Sequence, residues 1–578
     1  MKTDSTAMHV ATIKKRVGDR VYTSVLLRRS FRQDGKVKHQ TLANLSALPA
    51  DAVEAVRRAL RNEPASDAGP FRILRSRPHG HVEAVLGAIN ALGVARLLGR
   101  EDSRQRRLVL AMIAQRILAP ASKLASTRLL ETTSLADQLG VGDVRAAELY
   151  GALDWLLARK DAVERALAKR HLSEGGVVLY DVSSSYYEGT TCPLARFGHD
   201  RDGKAGKQII VYGLLTDKEG RPVAVDVYPG NTGDPSTVPN QVEKLRDRFG
   251  FERIVMVGDR GMLTSAQIDA LKGRPGIGWI SALRSEAIRK LVDDETIEPT
   301  LFDEIDLTEI SSPEFPGERL VVCYNPLLAD RRAAKREELL KATEGRLVRL
   351  QASLARRTKN PAGDGAVGQR LGAIKNRFRV AKHFEFEIAA GRLEWRRNER
   401  SIEAESQLDG IYVIRTSEPK ADLAAPDVVR TYKSLAQVER AFRCMKGLDL
   451  LVRPIFHRLE PRVEAHLLLG MLAYYVEHRL RSAWAPLLFA DEELPEARLT
   501  RDPVKPAQAS AEAREKKKTK ETATGLPVQS FRTLLAQLAT RCLNTCTVGD
   551  GAAAARFDQA TLPDELQQEA FRLLDLPQ

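Results

Sequence analysis

Apolar and polar positions alternate over residues 9–13, 20–29 and 36–42, the period of two expected of strands, with Asp34-Gly35 as the hairpin turn before the last. A helix is expected over 50–62, followed by a polar, proline-containing link to about residue 81. From 82 to 171 the apolar period lengthens to that of helices, in four or five segments. Pro120 opens a turn into one of them with Ser122 as N-cap, and Asp143 is a candidate cap for another. At Gly176 the pattern changes again. Residues 177–180 are a short apolar run ending at Asp181, and further strands are expected over 208–216, 221–228, 253–257 and 279–283. Helices are expected over 236–249 and 265–272, and Asp259 follows the fourth strand in Gly258-Asp259-Arg260-Gly261. This alternation predicts a mixed sheet, an α/β (α+β) fold class, with Asp181 and Asp259 converging at one edge if their strands are neighbours.

Residues 286–426 have a different character: an acidic stretch, a strand over 319–324, a long charged helix over 329–357, a Gly/Pro break, and strands over 384–389 and 393–397. Trp395 in the last strand suits either a core position or stacking on an extruded base. Residues 432–446, YKSLAQVERAFRCMK, lack Pro and Gly and predict one helix. Tyr432, Glu439 and Lys446 recur every seventh position along it, with Arg443 one turn past Glu439, while Val438, Phe442 and Met445 form an adjoining apolar strip. An amphipathic surface helix would show the same pattern. A mostly apolar helix over 464–484 follows, in which His466 reads as a core or cap residue, then a lysine-rich linker over 503–526 and closing helices over 530–543 and 563–574.

Composition narrows the function classes. With 43% hydrophobic and 29% charged residues, the 578-residue chain is that of a globular protein of several domains. A net charge of +14 points to a polyanionic partner, nucleic acid before membrane, and Lys14, Lys15, Arg16, Arg28, Arg29, Arg32, Lys36 and Lys38 crowd the first hairpin. Those charges serve equally as a guard on a sheet edge. The five cysteines form neither a disulfide framework nor a zinc pattern, and no apolar run is long enough to span a bilayer, so an intracellular, reducing location is expected. Arg260, Lys207 and His457 read as solvated surface residues.

Asp181, Asp259 and Glu439 are hard oxygen donors without accompanying Cys or His, a set suited to Mg²⁺ or Mn²⁺. Two such ions would serve phosphodiester displacement. A helix cap or turn former is the ordinary role of an Asp after a strand.

In order, strand-Asp181, a three-stranded meander, a helix, strand-Asp259 and a distant Glu439 on a helix resemble the ribonuclease-H-like core of DDE transposases. Tyr432, Glu439 and Lys446 are similar to the Y-x2-R-x3-E-x6-K signature of bacterial insertion-sequence transposases with an inserted β-rich domain. Leu435 stands where the signature has Arg, and Arg443 lies on the same face. Gly230-Asn231, Asp409-Gly410 and Arg453-Pro-Ile-Phe-His457 are further likenesses, and 78 residues between the first two acids against 180 between the last two leave room for an insertion. The resemblance implies a basic β-hairpin and helix contacting DNA over 1–80 and a helical DNA-binding module over 81–172. It implies a core in two parts, 173–285 and 427–485, an insertion domain over 286–426, and a basic linker with C-terminal helices over 486–578. It also implies catalytic and metal-binding Asp181, Asp259 and Glu439, two Mg²⁺ or Mn²⁺ ions per site, and DNA contacts from Tyr432, Lys446, Arg443 and Arg453. The expected activity is cleavage and strand transfer of an element's terminal inverted repeats by a homodimer on paired ends. A nuclease of the same fold without strand transfer, and a non-catalytic DNA-binding derivative, are the alternatives.

Overall fold

The structure is a computed structural model that describes residues 8–17, 20–33, 36–61, 71–298, 306–356, 362–549 and 554–577. The expected Asp34-Gly35 turn lies outside the described residues. The chain divides into two units, Met1–His79 with Arg541–Leu562, and Gly80–Thr540 with Pro563–Gln578.

In the first unit β1 (Met8–Val17), β2 (Arg20–Gln33) and β3 (Lys36–Asn44) form an antiparallel meander, as their alternation predicts. Helix α1 (Ala50–Leu60) turns Val53 inward and ties to β1 through Arg57, which donates to the Thr12 hydroxyl at 3.0 Å. The expected link to residue 81 instead contains β4 (Phe71–Pro78), antiparallel to Cys542–Val548, which pairs in turn with Ala555–Ala560. The closing helix expected to reach 543 therefore stops early: Thr545, Thr547 and Val548 are β-branched and take the strand.

The second unit opens with seven helices: α2 (Gly80–Ala91), α3 (Val94–Leu98), α4 (Arg104–Leu118), α5 (Lys123–Leu129), α6 (Leu135–Leu139), α7 (Ala146–Leu157) and α8 (Lys160–His171). Ser122 caps α5 as expected, accepting the Ala125 N–H at 3.2 Å. Asp143 does not cap α7. It adopts φ 49°, and the N-cap is Arg145, whose N–H donates to the Glu148 carboxylate at 3.0 Å.

Eight strands then build one sheet, in the order β10-β11-β14-β9-β8-β5-β6-β7. They are β5 (Val177–Tyr186), β6 (Ile209–Thr216), β7 (Pro222–Pro229), β8 (Ile254–Val257), β9 (Ile277–Ala282), β10 (Leu307–Ile310), β11 (Arg319–Tyr324) and β14 (Ile411–Thr416). Strands β5, β8 and β9 are parallel, and every other pairing is antiparallel. Both faces of the centre are buried, which is why its strands read as unbroken apolar runs. Val178, Tyr180 and Met256 face α9 (Val238–Glu243) and α10 (Ser265–Lys272), and Leu179, Val257 and Ile280 join the core on the other side. After β9 comes α11 (Ser285–Asp293).

Residues 286–426 do not stand apart as a separate domain. Strands β10, β11 and β14 extend the main sheet, because their apolar residues alternate into its faces. What has a core of its own is the excursion between β11 and β14: α12 (Pro326–Ala355), α13 (Asp364–Phe378), β12 (Phe384–Ala389), β13 (Arg392–Arg397) and α14 (Glu399–Ser406). Trp395 belongs to that core, edge-on to Phe384 with its indole N–H donating to Gln351 at 2.9 Å.

The helix expected over 432–446 is two helices, α15 (Ala425–Lys433) and α16 (Ala436–Lys446). The Ser434 hydroxyl donates back to the Thr431 carbonyl at 2.5 Å, and the chain turns there, a known effect of serine on a helix. Helix α17 (Glu460–Ala483) is buried along most of its length, and among the described residues no single helix is long and apolar enough to cross a membrane.

After α18 (Leu494–Thr500), the lysine-rich stretch expected as linker contains α19 (Ala511–Thr519), capped by Ser510 and held by a buried Lys516 paired with Glu492. Helix α20 (Phe531–Ala539), β15 (Cys542–Val548), β16 (Ala555–Ala560) and α21 (Glu565–Arg572) end the chain's described elements.

Candidate active site

Strands β5 and β8 run parallel with Leu179 opposite Val257. Asp181 and Asp259 each lie two residues further on, so the register carries both carboxylates to the same edge of the sheet. Asp181 is not at a strand end, as the sequence suggests, but within β5, which continues along β6 to Tyr186. Beyond Val257 the chain leaves the sheet: the Asp259 Oδ1 accepts N–H bonds from Gly261 at 2.9 Å and Met262 at 2.8 Å, and Ser281 donates to the Asp259 carbonyl at 3.1 Å.

Glu439 reaches the same place from α16. Val438, Ala441, Phe442 and Met445 bury one face of that helix, with Phe442 edge-on to Tyr212 of β6, and Glu439 projects from the other face. It makes no side-chain hydrogen bond or ion pair among the described residues.

Electrostatics record the approach of the three acids. Burial, then the charges of Asp259 and Glu439, push the Asp181 carboxyl up to about 7 against the pull of Arg201. The group is open. Among the described residues, the one set of His, Cys, Asp or Glu ligand atoms all within 4.8 Å of each other is Cys444, Asp449 and Glu477. That set already has its cation: Arg481 pairs with Glu477 at 2.7 Å and Asp449 at 2.9 Å.

Tyr432 stands on α15, not on the helix of Glu439, yet the bend keeps it beside the acids. Burial, followed by Asp259 and Glu439, raises its hydroxyl to about 12. Arg443 is exposed on α16 and makes no side-chain pair among the described residues. Leu435 is buried at the bend and points into the core.

Lys446 and Arg453 are engaged in a way the sequence does not disclose. Both bind Asp202, at 2.7 and 2.6 Å, and the Asp202 side chain has no solvent exposure. Lys446 also donates to Ser183, two residues past Asp181, at 3.0 Å, and Arg453 Nε donates to the Lys446 carbonyl at 2.9 Å. Tyr186 N–H donates to the second Asp202 oxygen at 3.1 Å. Neighbouring Arg201 clamps Asp234 with two bonds of 2.5 and 2.6 Å. Asp202 sits in a His-Asp-Arg-Asp-Gly run that reads as an ordinary polar turn, so only the tertiary fold reveals it.

Gly230 has a steric reason. A Cβ there would lie 2.0 Å from the Ile209 carbonyl oxygen, and one on Gly198 would lie 1.9 Å from that of Gly230. The loop carrying Arg201 and Asp202 thus packs backbone to backbone on the end of β7.

Two family descriptions match this frame. The "Transposase DDE domain" covers residues 174–476, just over half of the chain, from the start of β5 through Glu439 into α17. The chain belongs to the DDE transposase family. It is accordingly an enzyme that cuts DNA. The "IS1634 family transposase, N-terminal domain" matches residues 10–69, so the transposase belongs with those of insertion sequences. No curated protein matches the chain. Among solved structures, a cryo-EM structure of piggyBac transposase synaptic complex with hairpin DNA is similar at 10% identity and TM-score 0.32, over 80% of this chain and 76% of that one. That likeness is too loose to carry an argument.

Proposed function

We propose that this transposase binds the terminal inverted repeats of its insertion sequence, cleaves there, and joins the freed 3′ ends to target DNA. The sheet around β5, β8 and β9 is, on this reading, a ribonuclease-H-like core, and Asp181, Asp259 and Glu439 are its catalytic acids. The observation that carries it is the parallel register of β5 and β8, which aims the two aspartates at one point while α16 brings the glutamate.

The donor set fits divalent cations. It is all oxygen, Glu439 makes no ion pair among the described residues, and burial with the two like charges of Asp259 and Glu439 raises Asp181, so positive charge is what the cluster lacks. Asp181, Asp259 and Glu439 would hold Mg²⁺ or Mn²⁺, which when bound supplies activation of the attacking oxygen and stabilisation of the leaving 3′ oxygen. The remaining work falls to side chains. Tyr432 keeps its proton at neutral pH and can donate to a phosphate oxygen. Exposed Arg443 adds a charge-assisted donor in the position that Leu435 leaves unfilled. Lys446 and Arg453, tied to Asp202, present fixed positive charge beside β5. Pairing of two protomers across two DNA ends belongs to the same proposal.

Incubation of the protein with Mg²⁺, a labelled duplex from the element's end and a second duplex tests it. Covalent joining of the labelled 3′ end is expected. Cutting without joining would leave the nuclease reading.

A further inference from the structure

Arg260, Lys207 and His457 all read as solvated surface residues in the sequence, but the structure treats them differently. His457 is half-buried against the rings of Tyr150 and His466, and Lys207 pairs with Glu188 at 3.1 Å. Arg260 is exposed, and its side chain has no hydrogen bond or ion pair among the described residues. It directly follows Asp259, and its main-chain carbonyl accepts the Arg284 Nε–H at 3.3 Å. Arg284 is exposed too, and that bond leaves both of its terminal amino groups without a partner among the described residues.

The strand register places this pair. Val257 of β8 lies opposite both Leu179 of β5 and Ile280 of β9. Two residues further along each of these parallel strands come Asp181, Asp259 and Ala282, all at one edge of the sheet. The Ser281 bond to the Asp259 carbonyl keeps the end of β9 beside that acid after β8 has ended. Two residues beyond Asp181 stands Ser183, which accepts from Lys446, and two residues beyond Ala282 stands Arg284. Lys446 and Arg284 therefore flank the acids from opposite sides. Strands β5 and β9 are two strand spacings apart, about 10 Å. That is the rise of about three nucleotides along one strand of DNA.

The cations on the two sides are used differently. Lys446 and Arg453 are spent on Asp202. Arg260 and Arg284 pair with no acid, although Asp259 is next to them: its Oδ1 is taken by the Gly261 and Met262 N–H groups instead. The Arg284 Nε is anchored to main chain, which leaves the planar end of its guanidinium held in place and its remaining donors free for an anion from outside. For an enzyme that cuts DNA, the anion brought to this edge is the phosphodiester backbone, and a scissile phosphate over the acids carries neighbours along its own strand.

We propose that Arg284 and Arg260 hold a backbone phosphate of the cleaved strand, about one or two nucleotides from the scissile bond on the side away from Lys446. The inference rests on the reading of Asp181, Asp259 and Glu439 as the cutting site.

The test uses the full-length chain and a fluorescein-labelled duplex from the element's end, titrated over a range of salt without divalent ions. Arg284→Met is expected to weaken binding at low salt about tenfold and to lower the slope of log affinity against log salt by about one, and Arg284→Lys to restore the slope. Its melting temperature should stay at the wild-type value, because the side chain it loses is exposed. Should Arg284→Met fail to fold, Arg260→Met reads the same slope. Single methylphosphonate substitutions along the cleaved strand need no variant: wild-type binding should weaken at a position about one or two nucleotides from the cut, and that position should lose its effect in Arg284→Met. A slope unchanged in both variants overturns the proposal. So does a scan in which no phosphate within about three nucleotides of the cut affects the wild type, or one whose sensitive position stays sensitive in Arg284→Met. The cutting site survives any of these results so long as Asp259→Asn abolishes cleavage. An Asp259→Asn variant that cuts normally would remove the cutting-site reading and this inference with it.

Discussion

The Lys446 ammonium lies 2.7 Å from the carboxylate of Asp202, a side chain wholly enclosed by protein and shared with Arg453. The pair joins the end of α16 to the loop after β5, so the helix bearing Glu439 is fixed by charge as well as by its apolar face. Asp202→Ala would strand two cations. The expected loss of stability is near the lower end of about 3–5 kcal/mol, because Arg453 keeps contact with water. Thermal unfolding of the purified variant measures it, and a melting temperature equal to wild type would remove Asp202 from this role.

Asp181→Asn, Asp259→Asn and Glu439→Gln should each abolish cleavage while leaving affinity for the duplex within a few-fold of wild type. Band-shift titration and a nicking assay on one preparation separate the two effects. Loss of binding in step with cleavage would make the acids structural.

Asp181 also predicts a pH dependence. Its carboxyl titrates near 7 in the folded chain against about 3.9 in an unfolded one. Without divalent ions the folded form therefore holds the proton more tightly, and stability from this group falls as pH rises from about 4 to about 7. Asp181→Asn should flatten that slope and raise the melting temperature at pH 8 in chelator by a few degrees. Affinity for Mg²⁺, followed by calorimetry, should climb through the same interval as the proton leaves. A metal-free wild type whose melting temperature does not decline over that interval would count against a buried, proton-holding Asp181.

Gly230→Ala tests the close packing of the Arg201–Asp202 loop. The added methyl would meet the Ile209 carbonyl oxygen at 2.0 Å, too near for any rotamer to relieve. A cost of about 3 kcal/mol is expected, with reduced cleavage as Lys446 loses its anchor. Normal activity and normal melting would show that the loop moves freely.

Much of the central sheet was legible because each strand is buried on both faces and so reads as a continuous apolar run. The same feature hid where β5 ends, since Val182 is apolar and the serines after it are also buried, which left Asp181 looking terminal. Glu439 could be placed from the apolar strip of Val438, Phe442 and Met445. Tyr432 could not be assigned to its own helix, because the break at Ser434 is marked by no Pro or Gly. Asp202 was beyond reach: its importance lies in partners 244 and 251 residues away, and no local pattern encodes them. Strands β4 and β15, at opposite ends of the chain, escaped notice because each needs the other to become a sheet.

Tyr324 and Ile411 are register partners at the ends of β11 and β14. The polypeptide thus departs for its long helical excursion and comes home through a single doorway in the sheet. Such a pendant can be lengthened, shortened or exchanged over generations without re-threading the strands that carry Asp181 and Asp259.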